Sequence, residues 1–156
     1  MKRAIFAAGC FWGVEDAFMN LDGVVKTRVG YTGGTAEYPT YEQVSKGTTG
    51  HAEAVEVKFD PDIISYKELL EVFWKIHNPT TMDRQGPDVG KQYRSAIFYL
   101  YETQKEEALK SKEEIGKSGK YEDPIVTEIS GAQEFYEAEE YHQKYFQKTG
   151  KKSCHI

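Results

Sequence analysis

Only two of the 156 residues are cysteine, and they stand near opposite ends of the chain, at positions 10 and 154. Two thiols are too few for the disulfide framework of a small secreted domain, and they form neither a C-x-x-C pair nor a zinc-knuckle spacing. Histidine is equally sparse: His51, His77, His142 and His155 are scattered, with no H-x-x-x-H pair, so no metal site is expected. His77, at the end of a predicted helix, reads as a capping or packing residue. Cations are outnumbered, 20 Lys and Arg against 25 Asp and Glu, and the net charge of −5 argues against nonspecific nucleic-acid binding, which needs a basic face. No apolar run approaches the roughly 20 residues of a membrane helix. The start, M-K-R-A-I-F-A-A-G-C, looks briefly like a signal peptide, but its apolar run is too short. A soluble, cytoplasmic protein is expected. No glycine-rich phosphate loop with its lysine follows a strand, so nucleotide binding is not indicated.

What is present in quantity is apolar and aromatic surface: 11 Tyr, 8 Phe and 2 Trp in a chain that is 39% hydrophobic. That suffices for one core, and the sequence shows no repeat or linker, so residues 1–156 are expected to form a single domain. Residues 3–8 read as a short buried strand, 14–21 as a helix, 24–31 as a strand and 41–45 as a short helix. Residues 53–59 alternate as a strand. Ser65 with Glu68 three residues on is a capping box opening a helix that runs toward His77. Thr103 and Glu106 repeat that signature before an exposed helix reaching about 117. Strands are expected at 94–100 and 125–129, a last helix at 137–147, and a flexible basic tail at 148–156. The order β-α-β-β-α-β is that of a split βαβ, or ferredoxin-like, unit. The fold expected is α+β: a mixed sheet covered by helices, with a C-terminal helix-strand-helix extension. Residues 78–93 show no credible helix or strand, and 30–50 are long and glycine-rich. Both segments carry tyrosines, and both are expected to be ordered over a site.

Cys10 sits where a strand meets a helix. A helix start offers unpaired N–H groups and partial positive charge, which draws a thiol pKa down from about 8.5. Gly9 and Gly13 leave the turn open. Phe11 and Trp12 follow at once and suit the walls of an apolar pocket, or plain core plugs. Cys10 itself reads either as such a nucleophile or as a small buried hydrophobe. Glu53 shares one strand face with Val55, Val57 and Phe59. A carboxyl at the end of an apolar stripe is desolvated, which favours its protonated form and suits a general acid; the alternative is a strand-end Glu turned to water. Tyr31, Tyr38, Tyr41 and Tyr93 lie in or beside the two loops and could donate hydrogen bonds to a polar oxygen, though any single one reads more simply as packing. Asp88, in G-P-D-V-G, has the simpler reading of a turn former. Cys154 follows the polar stretch K-T-G-K-K-S, where Lys151, Lys152 and His155 favour thiolate; a mobile thiol there could resolve an oxidised Cys10 as a disulfide.

The stretch G-C-F-W-G-V-E at 9–15 resembles the signature of the peptide methionine sulfoxide reductase A family. G-Y-T-G-G at 30–34, P-T-Y at 39–41, G-H-A-E-A-V at 50–55, R-Q-G-P-D-V-G-K-Q-Y-R-S-A-I at 84–97 and F-Y-E-A-E-E-Y-H-Q-K-Y at 135–145 are also similar to the family pattern, in family order. The resemblance implies that Cys10 attacks the sulfur of methionine S-sulfoxide, free or within a protein. It implies that Glu53 protonates the sulfoxide oxygen with help from Tyr41 and Tyr93, that Phe11 and Trp12 hold the substrate methyl group, and that Asp88 supports the site. Cys10 would become a sulfenic acid, Cys154 would form a disulfide with it, and thioredoxin would reduce that disulfide. A monomer with no cofactor is implied. Two other readings compete: a thiol peroxidase acting on hydroperoxides through Cys10, and a non-enzymatic module that binds oxidised Met through Phe11 and Trp12.

Overall fold

A computed structural model describes residues 1–150. In chain order the elements are β1 (Lys2–Ala8), α1 (Phe11–Met19), β2 (Val24–Thr32), α2 (Tyr41–Ser45), β3 (Ala52–Phe59), α3 (Tyr66–Lys75), β4 (Arg84–Gln85), β5 (Asp88–Val89), β6 (Ser95–Tyr99), α4 (Glu102–Lys117), β7 (Glu128–Gly131), β8 (Tyr136–Glu137) and α5 (Tyr145–Thr149), with 3-10 turns at Lys91–Tyr93 and Glu140–His142. Six strands form one sheet in the order β7-β6-β1-β3-β2-β8. Its neighbours are antiparallel except β6 and β7, which are parallel, so the sheet is mixed. The inner four strands, β6-β1-β3-β2, with α1 and α3 as crossovers, are the split βαβ expected from the sequence.

The run at 4–8 is apolar without alternation because β1 is covered on both faces. Ala4, Phe6 and Ala8 enter the main core, while Ile5 and Ala7 join Ala52, Ala54, Ala96 and Phe98 in a smaller cluster on the other face. Phe6 centres the main core, its ring 5.0 Å from Phe18 of α1, 5.4 Å from Phe73 and 6.0 Å from Tyr66 of α3. Helix α3 starts as the sequence indicated: Ser65 and Glu68 form a reciprocal capping box, and Tyr66, Leu69, Leu70, Phe73 and Trp74 make the buried face. Burying each such side chain stabilises the fold by about 1.5–3 kcal/mol. His77 ends this helix as expected, its ring nitrogens bonded to the Phe73 carbonyl and to Ser95 Oγ.

Four local expectations are corrected. Helix α1 begins at Phe11 rather than 14, because its first N–H has a partner from a distant strand. Helix α4 has no Thr103–Glu106 capping box; Tyr101 is its N-cap, with no side-chain bond. There Gln104 ties the helix start down instead, accepting from the Leu100 N–H at 2.9 Å and donating to the Arg3 carbonyl at 2.7 Å. Strand β7 pairs from Glu128, not 125, because the backbone before it is already satisfied: Val126 N–H by the Pro79 carbonyl and the Thr127 carbonyl by Lys112. The segment 78–93 is ordered and contains a hairpin, β4–β5, turned at Gly86-Pro87; Gly86 has φ +58, as a primed hairpin turn requires. Two-residue strands are too short to show a period.

The largest difference is at 137–147, which is not one helix. Tyr136 and Glu137 add an edge strand to β2, Ala138 N–H donates to the Val29 carbonyl, a 3-10 turn follows, and Lys144 at φ +54 separates it from the short α5. Gly30 permits this docking: a Cβ there would lie 2.5 Å from both the Phe135 ring and the Tyr136 carbonyl oxygen. The Gln143 side chain completes the attachment, accepting from Val29 N–H at 2.9 Å and donating to the Val29 and Ala138 carbonyls. Residues 148 and 149 of the expected tail belong to α5. Cys154 lies outside the described residues.

Candidate active site

The end of β1 delivers Cys10 to the start of α1. Gly9, at φ +98, makes the bend, and Cys10 is the half-buried N-cap, with no side-chain capping bond. The carboxyl of Glu53 then meets the helix start: Phe11 N–H donates to Glu53 Oε1 at 3.1 Å across 42 residues of sequence. Glu53 is 1% exposed and points into the core face, directly opposite Tyr31 in the β2–β3 register. Thiol and carboxyl are therefore set by adjacent backbone positions of one helix turn and one central strand.

Tyrosines complete the surroundings. Tyr41 is the first residue of α2, which is fixed by the Thr40–Gln43 capping box, and Tyr93 closes the 3-10 turn behind β5. Burial pushes the Tyr41 phenol up to about 12, and the charges of Glu53, Cys10, Tyr141 and Asp88 add to that. Burial likewise raises Tyr93, followed by Glu53, Tyr41, Asp88 and Cys10. Both phenols therefore keep their protons at neutral pH and can donate hydrogen bonds. The same electrostatic reach ties Cys10, Glu53, Tyr41, Asp88 and Tyr93, from five separate elements, into one cluster. Tyr31 stands apart from that donor role because its hydroxyl is spent on Glu139 at 2.8 Å. Tyr38 is 83% exposed and packs edge-on against Tyr136.

Both long loops are ordered, as expected, and three side chains hold them. The guanidinium of Arg94 donates to the carbonyls of Gly33, Gly50 and Lys91. His51 accepts from Gly34 N–H through Nδ1 and bonds the Ala36 carbonyl through Nε2. Gln92 donates to the Ser45 carbonyl.

The two aromatics after Cys10 differ in exposure. Phe11 is 1% exposed, its ring 5.7 Å from Tyr31 and 5.2 Å from His142. Trp12 is half-buried, stacked on Tyr145 at 3.8 Å. Sequence reasoning missed the residues that hold this side of the site. Glu139 Oε1 accepts the Tyr31 hydroxyl while Oε2 accepts Tyr41 N–H at 3.0 Å. Burial pushes this carboxyl up, but the hydrogen bonds from Tyr41, from its own backbone and from Tyr31 outweigh it and hold the group below the usual carboxylate range. His142, set aside in the sequence as scattered, is buried to 1% under Tyr41 and Tyr141. Glu15, also 1% exposed, accepts from Thr27 Oγ1 at 2.8 Å and Lys144 N–H at 2.6 Å. The usable signal was the polar run E-A-E-E-Y-H-Q, dense in groups that need partners yet placed among aromatics.

Among the described residues, no group of three or more His, Cys, Asp or Glu is placed to hold a metal ion, and no helix is long and apolar enough to cross a membrane. The arrangement joins a helix-start thiol, a buried carboxyl and two phenol donors, which suits nucleophilic attack by sulfur on a polar, oxygen-bearing centre.

Comparison with known proteins bears on that chemistry. The sequence profile described as peptide methionine sulfoxide reductase matches residues 2–156. The chain is 65% identical over 150 residues to the peptide methionine sulfoxide reductase MsrA of Methanosarcina mazei, covering 96% of this chain and 71% of that one. Among solved structures it is similar to reduced Mxr1 from Saccharomyces cerevisiae, with a TM-score of 0.92 and 37% identity over 99% of this chain and 91% of that one. It is also similar to Mxr1 in complex with Trx2, with a TM-score of 0.66 and 28% identity over 99% and 86% of the two chains.

Proposed function

The chain belongs to the peptide methionine sulfoxide reductase family, and we propose that it reduces methionine S-sulfoxide, free or in proteins, with Cys10 as the nucleophile. The observation that carries this reading is the contact between Phe11 N–H and Glu53, which sets a buried carboxyl beside the helix-start thiol. Cys10 thiolate attacks the sulfoxide sulfur. The S–O bond is a poor one to break unless its oxygen is protonated, and Glu53 supplies that proton. Tyr41 and Tyr93 donate hydrogen bonds to the developing oxygen charge, and Asp88 supports Tyr93 and its turn. Trp12 and Phe11 form the apolar wall for the substrate methyl group. The protonated oxygen passes to the Cys10 sulfur as the bond between Cys10 and the substrate sulfur breaks; methionine departs with that electron pair, and Cys10 is left as a sulfenic acid. The thiol of Cys154 then displaces water from it to form a disulfide, and thioredoxin reduces that disulfide with its own dithiol. The complex of Mxr1 with Trx2 supports that reductant. Residues 1–156 act as one cytoplasmic domain whose last residues carry the resolving thiol.

The test is methionine formation from the separated S and R sulfoxide epimers, with dithiothreitol as reductant. The wild type should turn over the S epimer and leave the R epimer, and Cys10→Ser should turn over neither. Equal use of both epimers, or normal turnover by Cys10→Ser, would refute the scheme.

A further inference from the structure

Trp12 is held from two sides. Its indole N–H donates to Nδ1 of His142 at 2.9 Å, and the Tyr145 ring stacks on it with the planes 11° apart. An indole N–H can only donate, so Nδ1 of His142 carries a lone pair, and the proton of the neutral ring is on Nε2. Nε2 is buried and has no hydrogen-bond partner among the described residues. Burying an N–H without an acceptor costs free energy, and an apolar ring would fill the same space without that cost. What an apolar ring lacks is an acceptor for Trp12.

We infer that His142 is a positioning residue of the substrate pocket: by accepting the Trp12 indole N–H it fixes the ring on which the substrate methyl group packs, and it does so only while its imidazole is neutral. This rests on the proposed placement of Trp12 in the methyl-binding wall. The surroundings favour the neutral ring. Phe11 and Trp12 of α1 face it at 5.2 and 5.6 Å, Tyr41 of α2 at 4.4 Å and Tyr141 of its own turn at 4.1 Å. The ionisable groups facing it are Tyr41, Tyr141 and Glu139, and the oxygens of Glu139 already accept from Tyr31 and Tyr41. Burial therefore holds the imidazole below the ordinary histidine range, with Glu139 pulling weakly the other way. A proton added at Nδ1 would face the indole N–H donor to donor, and Trp12 would be released. The bond is thus intact at neutral pH and lost as pH falls through the depressed value.

The experiment follows the indole N–H resonances of Trp12 and Trp74 in the 15N-labelled enzyme, assigned with Trp74→Phe. As pH falls from neutrality to well below the ordinary histidine value of 6.5, the Trp12 signal of the wild type should move and exchange faster with solvent, while Trp74, bonded to Ser111, stays put. His142→Phe should show the released signal at every pH. His142→Asn, whose amide oxygen takes the place of Nδ1, should keep the bonded signal throughout. An unchanged Trp74 signal reports that each variant is folded. In parallel, KM for a methionine sulfoxide peptide should rise about tenfold in His142→Phe with kcat little altered, as loss of one methyl contact would give, and His142→Asn should restore it. An unshifted Trp12 signal in His142→Phe, or an Asn variant that behaves like Phe, overturns the role of His142 alone. A shifted signal with unchanged KM overturns the placement of Trp12 in the pocket, and the positioning role with it.

Discussion

The two halves of the site are held in different ways. Cys10 and Glu53 sit at the ends of β1 and β3, neighbours in the middle of the sheet, and their positions follow from main-chain ladders and the start of α1. Tyr41 and Trp12 are aimed by side-chain bonds from residues 139–142, a segment attached at the sheet edge. The pair proposed to react thus has the rigidity of the core, and a change elsewhere must break the sheet to move it. Tyr41 and Trp12, proposed to hold the substrate, each donate one hydrogen bond to that segment, and each such bond should be removable without unfolding the protein.

Glu53→Gln tests the first half and should show the largest effect. It keeps the shape, and its amide oxygen can still accept from Phe11 N–H, but it removes the transferable proton. Single-turnover reduction should slow by about 10²–10⁴-fold with little change in thermal stability; a near-normal rate would take Glu53 out of the acid role. Glu139→Ala tests the second half. It releases Tyr31 and the start of α2 together, so kcat/KM should fall by up to about 10²-fold through misplacement of Tyr41. Urea unfolding should show a loss of about 1–3 kcal/mol, and Cys10 alkylation should keep its wild-type rate. If alkylation slows as well, the two halves are not independent.

The smallest effect concerns Glu15, which joins α1 to the C-terminal segment. Burial pushes its carboxyl above the ordinary 4.5, against the bonds from Lys144 and Thr27. The native state therefore binds this proton more readily than the unfolded chain. That contribution is full below pH 4.5 and is lost as pH rises through the raised native value. Glu15→Gln does not titrate, so the stability of the wild type relative to the variant should grow as pH falls from neutrality toward 4.5. A difference independent of pH in chemical denaturation would contradict it.

The contrast between the halves is also the contrast between what could and could not be read beforehand. The alternation over 53–59 placed Glu53 on an apolar face, and it is found there, 1% exposed. The Ser65–Glu68 pair marked the start of α3 because capping involves residues three apart. The same rule failed at Thr103, where Gln104 reaches Arg3 on another element. The helix expected at 137–147 failed for a similar reason, because its backbone bonds are taken by β2 and by Gln143.

The sequence by itself determined the α+β order, the core strands, the strand-to-helix position of Cys10 and the face on which Glu53 lies, because each depends on spacing within a few residues. Only the tertiary structure decided that α1 starts on the Glu53 carboxyl, that Glu139 holds Tyr41, and that His142 holds Trp12. Those bonds span 42, 98 and 130 residues. A local pattern carries no record of a partner so far along the chain, because the bond exists only once the sheet has brought the two ends together.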